Sequence, residues 1–228
     1  SEGQVSEFKL PTNVFKMPDP QTDVDLVHNG QNLGTYTIKA DGTVTLKFKP
    51  NLQNVNAWFW FETWINPDYT FESNKQTITL ENEHTLELEA AFSSIDGKYG
   101  KLESNPSRIK WSMYVNTELK NVSNATVTDA LQQYLTFDPT TLKVHKLKVS
   151  EGGKLAYGAQ VTNVQNSGSA TNLSFNLGNI SGAYIIEFET KIDPQAPSTT
   201  FNNTALFNGK ELKATPVKYE NLIDLTKA

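Results

Sequence analysis

The stretch YTIKADGTVTLKF, residues 36–48, decides the fold class of this chain of 228 residues. Apolar and polar residues alternate on both sides of Asp41-Gly42, and an Asp-Gly pair between two such segments is typical of a tight β-hairpin turn. The same period of two recurs in nearly every apolar segment, whereas a helical pattern is nearly absent. Only Asp129–Tyr134 is compatible with one helical turn. The sequence therefore predicts an all-β protein.

The chain is long enough for two β-sandwich domains of ordinary size, and many short strands with frequent turns favour that architecture. The run AAFSSIDGKYGKLESNPS, residues 90–107, separates two series of strands with small and polar residues. We therefore predict a first domain over residues 1–91, a linker over 92–97 and a second domain over 98–216. The predicted strands are Val5–Leu10, Leu33–Lys39, Val44–Phe48, Val55–Ile65, Gln76–Leu80, Thr85–Ala90, Ile109–Asn116, Ala125–Ala130, Leu142–Val149, Leu155–Val164, Asn172–Leu177, Tyr184–Ile192, Asn203–Phe207 and Glu211–Tyr219.

Composition argues against several classes of function. The net charge of −5 disfavours nucleic acid, and the lack of cysteine removes disulfides, zinc–thiolate sites and thiol nucleophiles. The three histidines have no metal-type spacing, and no phosphate loop or nucleophile elbow occurs. We therefore expect no metal, no cofactor and no catalysis on an external substrate. No segment is apolar enough to span a bilayer, and SEGQVSEF has no signal-peptide pattern, so we expect any signal and anchor to lie outside this sequence.

The segment NAWFWFETWIN, residues 56–66, concentrates aromatic residues. Alternation puts Trp58, Trp60 and Trp64 on one face and Phe59 and Phe61 on the other. The face with the indoles is predicted either to be buried at a domain interface or to form an open platform for a sugar or peptide.

Polar side chains are predicted inside the second domain. In NATVTDAL (124–131) Asp129 shares a face with apolar residues, and in FNNTALF (201–207) Asn203 does the same, while Lys98 stands at the entry of the domain. Burial favours a neutral amine and a neutral carboxylic acid, so Lys98 could attack the Asn203 amide with Asp129 as the proton-shuttling acid, leaving an isopeptide bond. Alternatively, Asp129 caps a helical turn and Asn203 merely opens a strand.

The chain resembles the paired N-terminal ligand-binding domains of the collagen adhesins of Gram-positive bacteria. The resemblance rests on the ordered set YTIKADGTVTLKF, RIKWSMYVN, NATVTDAL, YIIEFETKI and FNNTALF, and it extends over almost the whole chain. It implies two immunoglobulin-like β-sandwich domains in tandem, joined by a short linker. It also implies the crosslink at Lys98, Asp129 and Asn203, with Asn202 as the alternative acceptor and Lys101 as the alternative donor.

The resemblance further implies a C-terminal latch over VKYENLIDLTKA, residues 217–228, which adds a strand to the other domain after the ligand is enclosed. Its apolar anchors would be Val217, Tyr219, Leu222 and Leu225. In the family's place for an aromatic residue before the crosslinking lysine this chain has Gly97, and Ser112 and Tyr114 replace the family's collagen contacts. The ligand therefore does not carry over directly.

The leading hypothesis is a monomeric, cell-wall-anchored adhesin and virulence factor on the bacterial surface. Its partner would be a host extracellular-matrix protein, with collagen, fibrinogen and fibronectin as candidates, or a glycan, held between the two domains. We expect Trp111, Tyr114, Tyr157 and the linker from Phe92 to Asp96 to border that groove. The alternatives are a force-bearing pilin or stalk module with the same crosslink, and a carbohydrate-binding module that uses Trp58, Trp60 and Trp64.

Overall fold

The computed structural model describes residues 3–52, 59–104 and 107–222. These ranges contain twenty β-strands and no helix, and hence no helix able to cross a membrane. The first nine strands are β1 (Val5–Lys9), β2 (Phe15–Lys16), β3 (Gln21–His28), β4 (Gln31–Ile38), β5 (Thr43–Phe48), β6 (Trp64–Ile65), β7 (Thr70–Phe71), β8 (Lys75–Thr79) and β9 (Thr85–Glu89). The others are β10 (Gly97–Leu102), β11 (Arg108–Val115), β12 (Val122–Ala130), β13 (Leu135–Ser150), β14 (Leu155–Val161), β15 (Asn172–Ile180), β16 (Ala183–Ile192), β17 (Thr199–Phe201), β18 (Thr204–Phe207), β19 (Lys210–Lys213) and β20 (Val217–Tyr219).

The chain divides into two compact units, and the all-β prediction is confirmed in both. The first unit comprises Ser1–Tyr69 and Lys75–Glu89, and the second comprises Thr70–Asn74 and Ala90–Ala228. The prediction of one continuous domain over residues 1–91 needs correction, because β7 pairs with β13 of the second unit and the Phe71 side chain is fully buried. The last residue of the linker proposed over 92–97 is already the first residue of β10, Gly97.

The first unit is built on an antiparallel sheet in the order β1-β5-β4-β3, together with the two-stranded sheet β2-β6 and the hairpin β8-β9. The predicted turn at Asp41-Gly42 joins β4 to β5: Asp41 Oδ1 accepts from the Thr43 amide, and Gly42 has a φ of 92° that favours glycine. A small cluster of buried side chains fills this unit, namely Leu10, Val14, Phe15, Ile78 and Leu80.

The second unit is a β-sandwich. One sheet has the order β10-β11-β16-β13-β14, and the other has the order β15-β12-β18-β19. Alternate residues of both sheets point inward and share one hydrophobic core, which includes Trp111 and Met113 from the first sheet and Val127 and Phe175 from the second. Gly100 lies directly against the Trp111 indole: a Cβ at residue 100 would come within 2.3 Å of that ring.

The two ends of the second unit lie side by side. Lys98, on its first long strand, forms a parallel bridge with Ala214, and β20 pairs with β17. After β20 the Asn221 side chain donates to the Ala196 carbonyl at 2.8 Å, and the Asn221 amide donates to Ser198 Oγ at 2.8 Å. The chain is therefore fastened to the second unit as far as residue 221.

Candidate functional site

The second unit buries a lysine, an aspartate and an asparagine together. Lys98 comes from β10, Asp129 from β12, and Asn203 from the turn before β18, and their exposed fractions are 1%, 2% and 3%. Period-two alternation explains these positions, because Ala125 and Val127 on the face of Asp129 are also fully buried. Residues distant in sequence therefore meet inside the sandwich.

The Asp129 carboxylate connects the other two side chains. Its Oδ2 accepts a short hydrogen bond from Lys98 Nζ and a longer one, of 3.4 Å, from Asn203 Nδ2. The Lys98 ammonium also lies over two aromatic rings, 4.9 Å from the centroid of Trp111 and 5.8 Å from that of Phe188. The amine, the acid and the amide thus share a pocket with apolar walls.

Burial shifts the pKa values of this pair. Desolvation lowers the pKa of Lys98 to about 8, although the neighbouring Asp129 charge opposes the shift. Desolvation likewise raises the pKa of Asp129 above its ordinary value, against the opposing effect of Lys98. Both shifts favour a neutral amine beside a neutral carboxylic acid.

Two oxygens of this cluster are buried without a hydrogen-bond partner among the described residues, Asp129 Oδ1 and Asn203 Oδ1. Buried polar atoms rarely lack a hydrogen-bond partner, because each one that does lowers the stability of the fold. Two such oxygens in one cluster therefore mark a candidate functional site. Rotation of the Asn203 amide about its Cβ–Cγ bond would bring its carbonyl oxygen to the Asp129 carboxyl group.

The two alternative reactants left open by the sequence differ from this cluster in exposure. Lys101 and Asn202 are both exposed, and the Asn202 amide donates to Gln132 Oε1 at 2.8 Å. Neither side chain therefore lies in the apolar pocket that holds Lys98. Asp129 does not cap a helix either, because it lies within β12.

A second feature lies on the outer face of the β10-β11-β16-β13-β14 sheet. We call the rings of Tyr99, Tyr114 and Tyr157 the tyrosine face. The rings of Tyr99 and Tyr114 meet edge-on with centroids 5.5 Å apart, and a shallow cavity of about 290 Å³ is lined by Ile95, Tyr99, Tyr114 and Leu155. Tyr99 and Tyr157 are 55% and 56% exposed, and Tyr114 is half-buried.

Charged and polar groups surround these rings. Tyr157 contacts the His145 ring edge-on at 5.2 Å, and Lys110 Nζ lies 3.2 Å from Glu187 Oε1. Partial burial raises the pKa of Tyr157 to about 12, and the Glu187 carboxylate adds to the shift. Sequence reasoning missed Tyr99 and Glu187, although alternation from the buried Lys98 and Phe188 would have put both on the outer face.

The prediction that Trp111 borders a ligand groove needs correction. Its side chain is fully buried in the sandwich core, where the indole Nε1 donates to Thr190 Oγ1 at 2.9 Å. Met113 and Val115, at the same alternation, are buried with it. Phe92 is half-buried and packs against Phe71 at 5.3 Å, so it anchors the linker to the second unit.

The predicted latch residues divide into three groups. Val217 and Tyr219 are buried in the core of the second unit, paired with β17, so they are part of that domain and the latch boundary at 217 needs correction. Leu222 is 63% exposed. Leu225 lies outside the described residues.

An ion-pair cluster across β11, β16 and β13 was not predicted. Arg108 Nη1 donates to Asp138 Oδ2 and to Glu189 Oε2, each at 2.9 Å. The Thr140 hydroxyl donates to Asp138 Oδ1 at 2.7 Å, and this bond, followed by that of Arg108, lowers the pKa of Asp138 to about 2. In the part of the chain that the structure describes, no group of three or more His, Asp or Glu side chains could hold a metal ion.

Both the sequence and the structure of this chain are similar to those of known proteins. The sequence profile of the collagen binding domain family matches residues 93–218, and a search of the curated proteins found no significant match. Among solved structures, the chain is similar to the collagen adhesin CNA of S. aureus, at 17% identity and a TM-score of 0.41, with 95% of this chain and 78% of that chain covered. It is also similar to the Enterococcus faecalis adhesin ACE, at 13% identity and a TM-score of 0.43 (96% and 84% covered).

The major pilin subunit BcpA of Bacillus cereus is similar too, at 12% identity and a TM-score of 0.39, with 95% of this chain and 63% of that chain covered. The assignment to a family rests on the sequence profile, because it spans the whole sandwich from Ser93 to Lys218 and more than half of the 228 residues. This chain belongs to the collagen binding domain family.

Proposed function

We propose that this chain is the ligand-binding part of an adhesin on the surface of a Gram-positive bacterium, and that its partner is an extended polymer of the host extracellular matrix, with collagen as the first candidate. The observation that carries the proposal is the tyrosine face, which lies within the residues matched by the family. Enclosure of the ligand by both domains, which the resemblance implies, stays a prediction.

The chemistry of the tyrosine face suits an extended chain. Tyrosine offers a large apolar ring at a low cost in side-chain entropy, and its hydroxyl can bond to a backbone carbonyl or amide. The rings of Tyr99 and Tyr114 support each other edge-on, so little ordering is needed when a ligand binds. Lys110 and Glu187 beside the rings provide both signs of charge for a polar polymer.

The test is binding of the purified chain to immobilised type I collagen, fibrinogen and fibronectin, measured by surface plasmon resonance. We expect Tyr114→Ala and Tyr157→Ala each to weaken binding to the recognised protein by about tenfold or more, as truncation of a central aromatic contact does. Leu206→Ala is the matched control, because Leu206 is 39% exposed on the opposite sheet of the same sandwich. Unchanged affinity in both tyrosine variants would place the ligand elsewhere.

We also propose that Lys98 and Asn203 join in an intramolecular isopeptide bond. Neutral Lys98 Nζ attacks Asn203 Cγ, while the protonated Asp129 carboxyl group polarises the amide carbonyl after the amide has rotated. A C–N bond forms, the bond from Cγ to Nδ2 breaks, and Asp129 carries the amine proton to the departing nitrogen, which leaves as ammonia. The shared burial of the three groups and the pKa shifts of Lys98 and Asp129 support this reaction. It acts on the chain itself and on no external substrate.

A second candidate function is a force-bearing stalk module. It is favoured by the fastening of the C-terminal segment, since Val217, Tyr219 and Asn221 are all buried in the second unit. A stalk needs the crosslink but no ligand. Failure of the chain to bind any of the three matrix proteins, together with slow backbone hydrogen exchange up to residue 221, would favour the stalk over the adhesin.

A further inference from the structure

The aromatic segment of the first unit is not used by the proposed adhesin site. Burial alternates along residues 59–65: odd-numbered positions are half-buried and even-numbered ones are exposed. Trp60 is 80% exposed and Trp64 58% exposed, and Glu62 is exposed between them. Of the two predictions made for the indoles, exposure therefore holds for these two, while Trp58 lies outside the described residues.

A concave cavity adjoins the two indoles. It has a volume of about 470 Å³ and is lined by Pro18, Gln21, Tyr36, Ile38, Phe59, Trp60, Phe61, Glu62 and Trp64. Its aromatic lining is supported from within, because the Phe59 ring packs between Tyr36 at 5.0 Å and Phe61 at 5.8 Å. This volume is in the range of small-molecule sites in proteins.

Two exposed indoles beside such a cavity are unfavourable in water, and large exposed aromatic patches commonly mark binding sites. The apolar C–H faces of a pyranose ring match the flat faces of indole rings, and its hydroxyl groups need polar partners at the rim. Gln21 and Glu62 supply those partners. The Tyr36 hydroxyl donates to Gln21 Oε1 at 2.7 Å, which holds the amide so that its Nε2 can donate to a ligand.

From this arrangement we infer that the cavity of the first unit binds a neutral pyranose of a glycan. Glu62 selects the class of ligand. An ionised carboxylate only accepts hydrogen bonds, so the ligand must donate, and sugar hydroxyl groups do. Proline-rich peptides also stack on indoles, but a proline has no N–H to offer. Glu62 is also the one charged side chain lining the cavity among the described residues, so sulfated and sialylated glycans are disfavoured.

The test is a titration of the whole chain with cellohexaose, mannohexaose and N-acetylchitohexaose, followed by intrinsic tryptophan fluorescence and by isothermal titration calorimetry. We expect saturable binding of at least one hexasaccharide with a change in tryptophan emission. Trp60→Ala and Trp64→Ala should each weaken it by about tenfold or more, and Glu62→Ala should weaken it with the indoles in place. Both tryptophans are exposed, so thermal unfolding of these variants should match that of the parent chain.

Tyr157→Ala is the matched control, since it removes an exposed aromatic ring from the other unit and should leave glycan affinity unchanged. This variant also distinguishes the two proposals. It should weaken binding of a matrix protein to the tyrosine face and leave binding of a glycan to the cavity of the first unit unchanged. The inference is overturned if none of the three hexasaccharides binds saturably, or if binding is unchanged in the Trp60→Ala/Trp64→Ala double variant. It is equally overturned if a Pro-Pro-Gly repeat peptide, and no hexasaccharide, loses affinity in that double variant.

Discussion

Replacing Lys98 by methionine tests the proposed crosslink most directly. Methionine keeps an unbranched side chain of similar length against Trp111 and Phe188, so packing is largely retained, but it removes the nucleophile. Asp129 is then left without its ionic partner, and because burial raises its pKa it can remain protonated and bonded to Asn203. The variant should therefore fold while lacking the covalent bond.

The expected loss of stability follows from the length of the closed loop. Lys98 and Asn203 enclose roughly 100 residues, and closing a loop of that size stabilises a fold by about 4.7 kcal/mol through the entropy of the unfolded chain. Since about 1 kcal/mol corresponds to about 2–4 °C for a domain of 150–250 residues, the Tm of the second unit should fall by roughly 10–20 °C. Differential scanning calorimetry measures this shift.

Intact-mass spectrometry shows whether the bond is the cause. The parent chain should weigh less than its sequence by one ammonia, whereas Lys98→Met and Asp129→Asn should each have the full mass of their own sequences. Lys101→Met is the matched control, because Lys101 is an exposed lysine on the same strand and its loss should change neither the crosslink nor the Tm. A parent chain with the full sequence mass would refute the reasoning, as would equal Tm values for the two methionine variants.

Two further predictions concern the second unit. The pKa of Asp138 is lowered in the folded state to about 2 from 3.8, so its stabilising contribution is present above pH 3.8 and is lost as the pH falls towards 2; Asp138→Asn should flatten this part of the Tm–pH curve, and an unchanged curve would contradict the assignment. Gly100→Ala would push a methyl group into a buried indole and should cost about 1–3 kcal/mol in urea unfolding. At Gly97 the added methyl would meet only ordinary contacts, the nearest at 3.5 Å, so Gly97→Ala serves as the control, and equal stability of the two variants would count against this packing.

Where a strand has one buried face, the alternation of apolar and polar residues was sufficient to predict which side chains point into the core. It predicted that Asp129 and Asn203 point inward, because apolar neighbours two residues away fix which face is the core. The same alternation places Trp111 in the core with Met113 and Val115, so the prediction that Trp111 borders a groove was wrong. That prediction relied on the residue type, tryptophan, and not on the position of Trp111 in the period-two alternation of β11.

Other features have no local signal. The strand β3 was not predicted, because it lies at the edge of its sheet and buries no side chain deeply, which removes the apolar half of the pattern. The segment Thr70–Asn74 joins the second unit through pairing with Val149, far away in sequence. Register between distant strands depends on the whole fold, so a window of neighbouring residues cannot contain it.

The parallel bridge between Lys98 and Ala214 has a mechanical consequence. If a cell and its substratum pull the second unit apart by its two ends, the outward tension on β10 and on the segment before β20 acts along the strands and not across them. A parallel bridge that is pulled along its strands is loaded in shear and does not open as the end of a hairpin would. A covalent bond from Lys98 to Asn203 would carry that tension directly from β10 to the start of β18. The residues between Lys98 and Asn203 would then stay folded under load.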